Sequence, residues 1–304
     1  MRRKWMRSSV SAILGGTLLF GSLAAFSPAT TYAAADKTRY KSFFNAAEEG
    51  PIIPGLKSDK KWVPQGLALW TSKKWIIASQ YSGNDTEASS ISITDKTTGK
   101  RLKTFYLYES GGKKHTGHVG GLAVSGRYLW ATSGKNAFRI PLTSLTGLPD
   151  YSKIVMKKYT LSHQASYATF SEGVLWIGTY TKGATCTTTG PQGTVYGYRL
   201  SANEDLASKA DYTWKTPDRV QGMALTKDKV MYSQSCGRNN DSKLLIHKRG
   251  SGGAKISQLT MPPMSEGISF YGTDLYVNFE SGSKIYDGRD RLYNFYYLDT
   301  IKFK

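Results

Sequence analysis

The sequence predicts an all-β chain, a five-bladed β-propeller of four-stranded antiparallel blades. Three observations predict it. A short motif, in which a variable residue precedes a glycine (a serine in the third copy) and a mostly apolar triplet, recurs as PQGLAL (Pro64–Leu69), VGGLAV (Val119–Val124), QASYAT (Gln164–Thr169), VQGMAL (Val220–Leu225) and SEGISF (Ser265–Phe270). The second residues of the copies fall at 65, 120, 165, 221 and 266, a spacing of 45–56 residues, and a four-stranded unit of that period is the signature of a propeller. After residue 35 no stretch of useful length carries the 3.6-residue apolar period of a helix.

The chain divides in order. In residues 1–35 the basic MRRKWMR, the apolar AILGGTLLFGSLAAF and the small-residue TYAAAD form the pattern of a secretory signal peptide. The apolar run of 15 residues falls short of the roughly 20 needed to span a bilayer, so cleavage near Ala35 is expected rather than a membrane anchor. Residues 36–62, including YKSFFNAAEEGPIIPGL, form an extension expected to pack on the ring or help close it. Residues 63–304 hold the five blades.

Within each blade the motif is the first, innermost strand. Second strands read WIIASQY, YLWATSG, LWIGTY, VMYSQS and LYVNFES, joined to the first by polar turns such as SGR, SEG and YGTD. Third strands read SISITD, NAFRIPL, TVYGYRL, KLLIHKR and SKIYDG, and fourth strands RLKTFYL, IVMKKYTL, DYTWK, ISQLTM and YYLDTIKF. Trp75, Trp130 and Trp176 are expected at the same second-strand position of three blades, a repeated placement that marks core between blades.

The glycine of the motif answers to crowding at the axis, where a residue without Cβ lets backbones approach. Packing does not explain the residue before it, which is Gln65, Gly120, Ala165, Gln221 or Glu266, nor the one two places earlier, which includes His118 and His163. The start of the first strand and the end of the second meet on one face of a propeller. That geometry assembles a funnel from Gln65, Gln80, Tyr81, His118, His163, Tyr180, Gln221, Gln234, Arg238, Glu266 and Glu280 at the mouth of the channel.

Two cysteines in an exported chain, Cys186 and Cys236, follow the second strands of adjacent blades 3 and 4 and are expected to form a disulfide. The net charge of +19 falls to +15 when the leader, with four cations and no acid, is removed. Such a balance favours anionic surfaces, although the lysines are scattered rather than gathered into a block. Nucleophile-elbow, phosphate-loop, zincin and calcium-hand motifs are absent, and the four histidines do not cluster with the thiols, so neither a cofactor nor a metal is expected. The repeated tryptophan placement argues against stacking platforms for nucleic acid.

The runs MPPMSEGISFYGTDLYVNFESGSKIYDG, VQGMALTKDKVMYSQSCGRNND and HTGHVGGLAVSGRYLWATSG resemble a group of secreted propeller proteins of Gram-positive bacteria, over most of residues 60–300. The resemblance implies export and the fold and carries no reaction with it. The SEG of blade 5 is also similar to the acidic blade-start motif of gluconolactonase-like propellers, whose calcium ion is held by several Asn and Asp residues. At the equivalent positions this chain has Gln65, Gly120, Ala165 and Gln221.

The function expected from these residues is binding, by a secreted monomer, of an anionic cell-wall polymer or polysaccharide at the channel mouth. The alternative is a hydrolase or lyase acting on such a polymer, with Glu266 and His118 as the acid–base candidates.

Overall fold

The computed structural model describes residues 34–58, 61–84, 86–286 and 288–300. The predicted leader, apart from its last two residues, lies outside them.

The described chain opens with the short helix α1 (Lys41–Ala46) and the strand β1 (Ala47–Ile52). Blade 1 contains β2 (Trp62–Trp70), β3 (Trp75–Ser82), β4 (Ser90–Asp95) and β5 (Arg101–Tyr108). Blade 2 contains β6 (Gly121–Val124), β7 (Tyr128–Ser133) and β8 (Asn136–Pro141), after which come α2 (Leu142–Gly147), β9 (Lys153–Val155) and β10 (Lys157–Thr160). Blade 3 is β11 (Tyr167–Ser171), β12 (Val174–Gly178), β13 (Gly193–Arg199) and β14 (Tyr212–Thr216). Blade 4 is β15 (Val220–Leu225), β16 (Lys229–Gln234), β17 (Ser242–Lys248) and β18 (Lys255–Met261). Blade 5 contains β19 (Ser265–Tyr271), β20 (Asp274–Phe279) and β21 (Asn294–Asp299).

The five sheets form a five-bladed β-propeller, as the repeat predicts. Blades 5 and 2 differ from the sequence reading, and in blade 5 the described part of YYLDTIKF lies in β21, the third strand rather than the fourth. The outermost strand of blade 5 is β1, from the other end of the chain, pairing antiparallel with β21 from Ala47 opposite Leu298. SKIYDG is therefore not the third strand of that blade; it lies in the connection between β20 and β21. In blade 2 the run IVMKKYTL is divided: β9 adds in parallel to β5 as a fifth strand of blade 1, and only β10 pairs with β8. Both departures follow from edge strands offering unpaired backbone groups to whichever segment reaches them.

Strand alternation builds the core. On the second strand of each blade, Ile77, Trp130, Trp176, Met231 and Tyr276 point toward the following blade, and their neighbours Ala78, Ala131, Ile177, Tyr232 and Val277 toward the preceding one. The result is five apolar clusters, one in each seam. Trp75 sits two positions ahead of this series, half-buried and edge-on to Trp70 at 5.3 Å. In the seam between blades 4 and 5, Phe43 of α1 is fully enclosed against Phe279 and Tyr296.

At the axis the motif glycines touch the neighbouring blade. A Cβ on Gly121 would lie 2.4 Å from Ala168 N, and one on Gly267 would lie 2.5 Å from Leu67 N. These contacts link blade 2 to blade 3 and blade 5 to blade 1, so the ring closes on backbone. Small polar residues at one position of the second strand stitch the same contacts: Ser79 Oγ donates to Val119 O at 2.6 Å, and Asn278 Nδ2 to Gln65 O at 2.9 Å. Cys186 and Cys236 form a disulfide with Cα atoms 5.4 Å apart, joining the loops that follow β12 and β16. Among the described residues no helix is long and apolar enough to cross a membrane.

Candidate functional site

The residue ahead of the motif glycine owes its direction to a backbone irregularity. The β2–β3 register breaks between Pro64 and Leu67, β15–β16 between Val220 and Gly222, and β19–β20 between Ser265 and Ile268. Each break inserts one extra residue, a β-bulge that re-aims a side chain. Gln65, Gln221 and Glu266 sit on these bulges at the same end of the channel.

A cavity of about 340 Å³ occupies that end, lined by residues that include Gln65, His118, Gln164, Ser166, Tyr180 and Gln221. Two carboxyl groups adjoin it. Gln65 Nε2 donates to Glu280 Oε2 at 2.9 Å, and Gln221 Nε2 donates to Glu266 Oε1 at 2.9 Å. Glu280 is further bonded to the Tyr286 hydroxyl, which also bonds Tyr81. The ring of Tyr81 stacks on His118 with centroids 3.8 Å apart. Tyr180 Oη donates to Ser235 O at 3.4 Å, closing the side toward blade 4.

The electrostatics are those of acids taken out of water. Burial pushes the Glu266 carboxyl well above the usual carboxylate range, and the charge of Glu280 raises it further, against a smaller opposing effect of the Gln221 hydrogen bond. Burial also pushes Glu280 up to about 7, while Tyr286, Gln65 and the Arg238 charge oppose the rise. Glu280 thus changes protonation near neutrality and Glu266 holds its proton beyond the usual range. Such a pair can give up or accept a proton beside a bound molecule. Among the described residues no group of three or more His, Cys, Asp or Glu side chains is placed to hold a metal ion.

Three residues assigned to the funnel point elsewhere, two of them for a common reason. On the second strand, Tyr81, Tyr180 and Glu280 share one alternation phase, and Gln80 and Gln234 have the other. Gln80 accordingly turns into the seam between blades 5 and 1, where its Nε2 donates to Pro54 O. Gln234 turns back onto Asp218, donating to its backbone O at 2.9 Å and to its Oδ1 at 3.0 Å. His163 folds away from the channel, with Nε2 2.7 Å from Tyr198 Oη and its ring 3.7 Å above Tyr196, and Gln164 takes its place in the cavity wall. Arg238 lies on the rim, its Nη2 donating to Arg289 O at 2.8 Å.

Tyr286 joins the site without having been singled out, and Arg219 adjoins it from the blade-start position that His118 and His163 hold in blades 2 and 3. Tyr286 belongs to residues 280–293, the long connection between β20 and β21, and a long connection on a rigid scaffold is where function concentrates. Arg219 holds the left-handed φ of 58°, donates to Cys186 O at 2.7 Å and pairs with Asp218 Oδ2 at 3.1 Å. Met264, at the same place in blade 5, has φ 66°. Non-glycine residues in this region are strained, and here they flank the bulges that carry Gln221 and Glu266.

Neither a family model nor a curated protein sequence matches this chain. Among solved structures, it is similar to the Myxococcus xanthus glutaminyl cyclase at 10% identity, covering 83% of this chain and 96% of that one with a TM-score of 0.50. It is also similar to the tail fibre of Staphylococcus aureus phage P68 at 14% identity, covering 83% of this chain and 52% of that one with a TM-score of 0.52. At these identities the likeness is one of fold.

Proposed function

We propose that this is an exported protein of a Gram-positive bacterium that binds, as a monomer, an anionic cell-wall polymer or polysaccharide at the channel mouth. The observation that carries the reading is the pair of amide–carboxyl units, Gln65 with Glu280 and Gln221 with Glu266, brought together from blades 1, 4 and 5 beside one cavity. Burial raises both carboxyl groups, so that below about pH 7 Glu280 is mostly neutral and repels an anion less than a carboxylate would. Arg219, Arg238 and the strongly basic chain supply the attraction. The disulfide accords with an oxidising destination.

The test is retention of the mature chain on purified wall and polysaccharide fractions at rising salt. Retention that weakens with salt, and weakens again in Arg238→Ala, is expected. Retention indifferent to both removes the charge-driven reading.

A second reading is favoured by the burial of two carboxyl groups, Glu266 and Glu280, beside one cavity. A hydrolase or lyase on such a polymer would use Glu266 as the proton donor, with Glu280 or His118 as the base. Glu266→Gln separates the two readings: retained binding with lost product formation marks an enzyme, and absence of product from the unaltered protein marks a binding module.

A further inference from the structure

A second cavity, of about 600 Å³, lies between the β4–β5 face of blade 1 and the segment at Pro54–Ser58. It arises from the period-two run SISITD. Ile91 and Ile93 point into the apolar seam with blade 2, which leaves Ser90 and Ser92 facing the other way. In blade 2 the corresponding face of β8 carries Phe138 and Ile140, which fill a seam. Blade 1 therefore places hydroxyl groups where the fold calls for apolar packing.

Those hydroxyls are arranged in rows across the sheet. Gln80, Ser90 and Tyr106 are cross-strand neighbours, and so are Ser92 and Thr104, whose side-chain oxygens lie 3.0 Å apart. Ser90 is fully buried, and its Oγ has no hydrogen-bond partner. A buried polar atom left without a partner is costly. A ligand hydroxyl in the cavity would satisfy it.

One wall is aromatic. The Trp62 and Tyr106 rings lie 6.4 Å apart at 34°, and Tyr106 and Tyr151 lie 6.3 Å apart at 29°. Tyr151 is 55% exposed and holds φ at 62°, a left-handed conformation that disfavours a bulky residue. The fold keeps an aromatic ring there against that cost. Among the described lining residues the charged one, Arg101, is neutralised: it grips Asp150 through two contacts of 2.8 Å and lies 5.0 Å from the Tyr151 ring centroid. The described lining thus offers flat apolar faces, hydroxyls and an amide, without an unbalanced charge among the described residues.

We infer that this cavity is a binding site for a neutral saccharide, its ring faces against Trp62, Tyr106 and Tyr151 and its hydroxyls bonded to Ser90 and Gln80. The inference does not rest on the reading of the channel mouth, from which Gln80 and its neighbours are turned away. Neutral sugars suit it because their C–H faces stack on aromatic rings while their edges need neutral donors and acceptors.

The experiment is saturation-transfer NMR on the full chain with cellotetraose, maltotetraose and chitotetraose, followed by titration of whichever responds. Transfer to at least one tetrasaccharide is expected. Its affinity should fall about tenfold in Tyr151→Ala, recover in Tyr151→Phe, and fall about fivefold in Ser90→Ala, the loss of one hydrogen bond. Tyr151 is exposed, so its variants test the site without disturbing a packed core. No transfer to any of the three, or an affinity unmoved by both alanine variants, would overturn the inference.

Discussion

Glu280, just past the second strand of blade 5, accepts a 2.9 Å hydrogen bond from Gln65 at the start of blade 1, so the last blade and the first are joined at the channel mouth by the side chains of the candidate site itself. Loss of that bond has consequences for binding, for pH dependence and for closure of the ring.

Binding of the anionic wall fraction should depend on pH with a midpoint near 7. The Glu280 carboxyl, pushed up to about 7, is neutral below that value and charged above it. Affinity should fall about tenfold from pH 6 to pH 8, on the order of one added repulsive charge, and Glu280→Gln should abolish the fall. Equilibrium binding across that range checks it.

Stability should follow the same group. In the unfolded chain Glu280 titrates near 4.5, and in the fold near 7, so the folded state holds the proton more tightly. Its contribution is complete below about pH 4.5 and is lost as pH rises through about 7. The groups facing it are Tyr286, Gln65, Arg238 and Glu266, and Glu266 is shifted in the same direction. Carboxylates such as Asp205, held down to about 2 by Tyr159 and Lys157, act in the opposite sense only in stronger acid. A falling Tm between pH 4.5 and 7.5, flattened in Glu280→Gln, is the expected thermal-melt result.

Alanine at two glycines should separate axial crowding from local conformation. Gly121→Ala drives a Cβ to 2.4 Å from Ala168 N and 2.6 Å from Tyr167 C, and should cost about 3 kcal/mol or more. Gly134→Ala meets nothing within 4 Å and is penalised only by its φ of 59°, about 1 kcal/mol. Denaturant midpoints for the two variants give the comparison.

Replacing Cys186 and Cys236 together by serine opens a link spanning 50 residues and should lower stability by about 4 kcal/mol on chain entropy. Because Arg219 is anchored on Cys186 O, the variant should also bind the wall fraction more weakly than its stability at the assay temperature explains. Parallel unfolding and binding curves distinguish the two effects.

The β1 closure gives a fourth stability test. Phe43→Ala empties a fully buried position against Phe279 and Tyr296 beside the joining sheet, and should cost about 3–5 kcal/mol.

The ring was legible because its determinants are local and repeated: the motif spacing, the alternation of the second strand, and the glycine that lets Gly121 touch Ala168. The edges were not, because the outermost strand of a blade is chosen by proximity. IVMKKYTL reads as one strand and is shared by two sheets, and β1 reads as an extension and joins the last. At the channel mouth, Gln65, Gln221 and Glu266 come together from one repeat position. Gln80 and Gln234 were misplaced although the alternation phase that turns them away is written in the sequence beside Tyr81 and Ser235. His163 was lost to Tyr198, a partner 35 residues away that no local pattern announces.

The pairing of Ala47–Ile52 with Asn294–Asp299 also dictates a schedule. While the chain is being delivered end first, the early strand has nothing to join, and its apolar neighbours Phe43 and Ile53 must wait unsheltered for the final turns of sequence. A polypeptide built this way cannot close its ring until the segment at Asn294–Asp299 has been made.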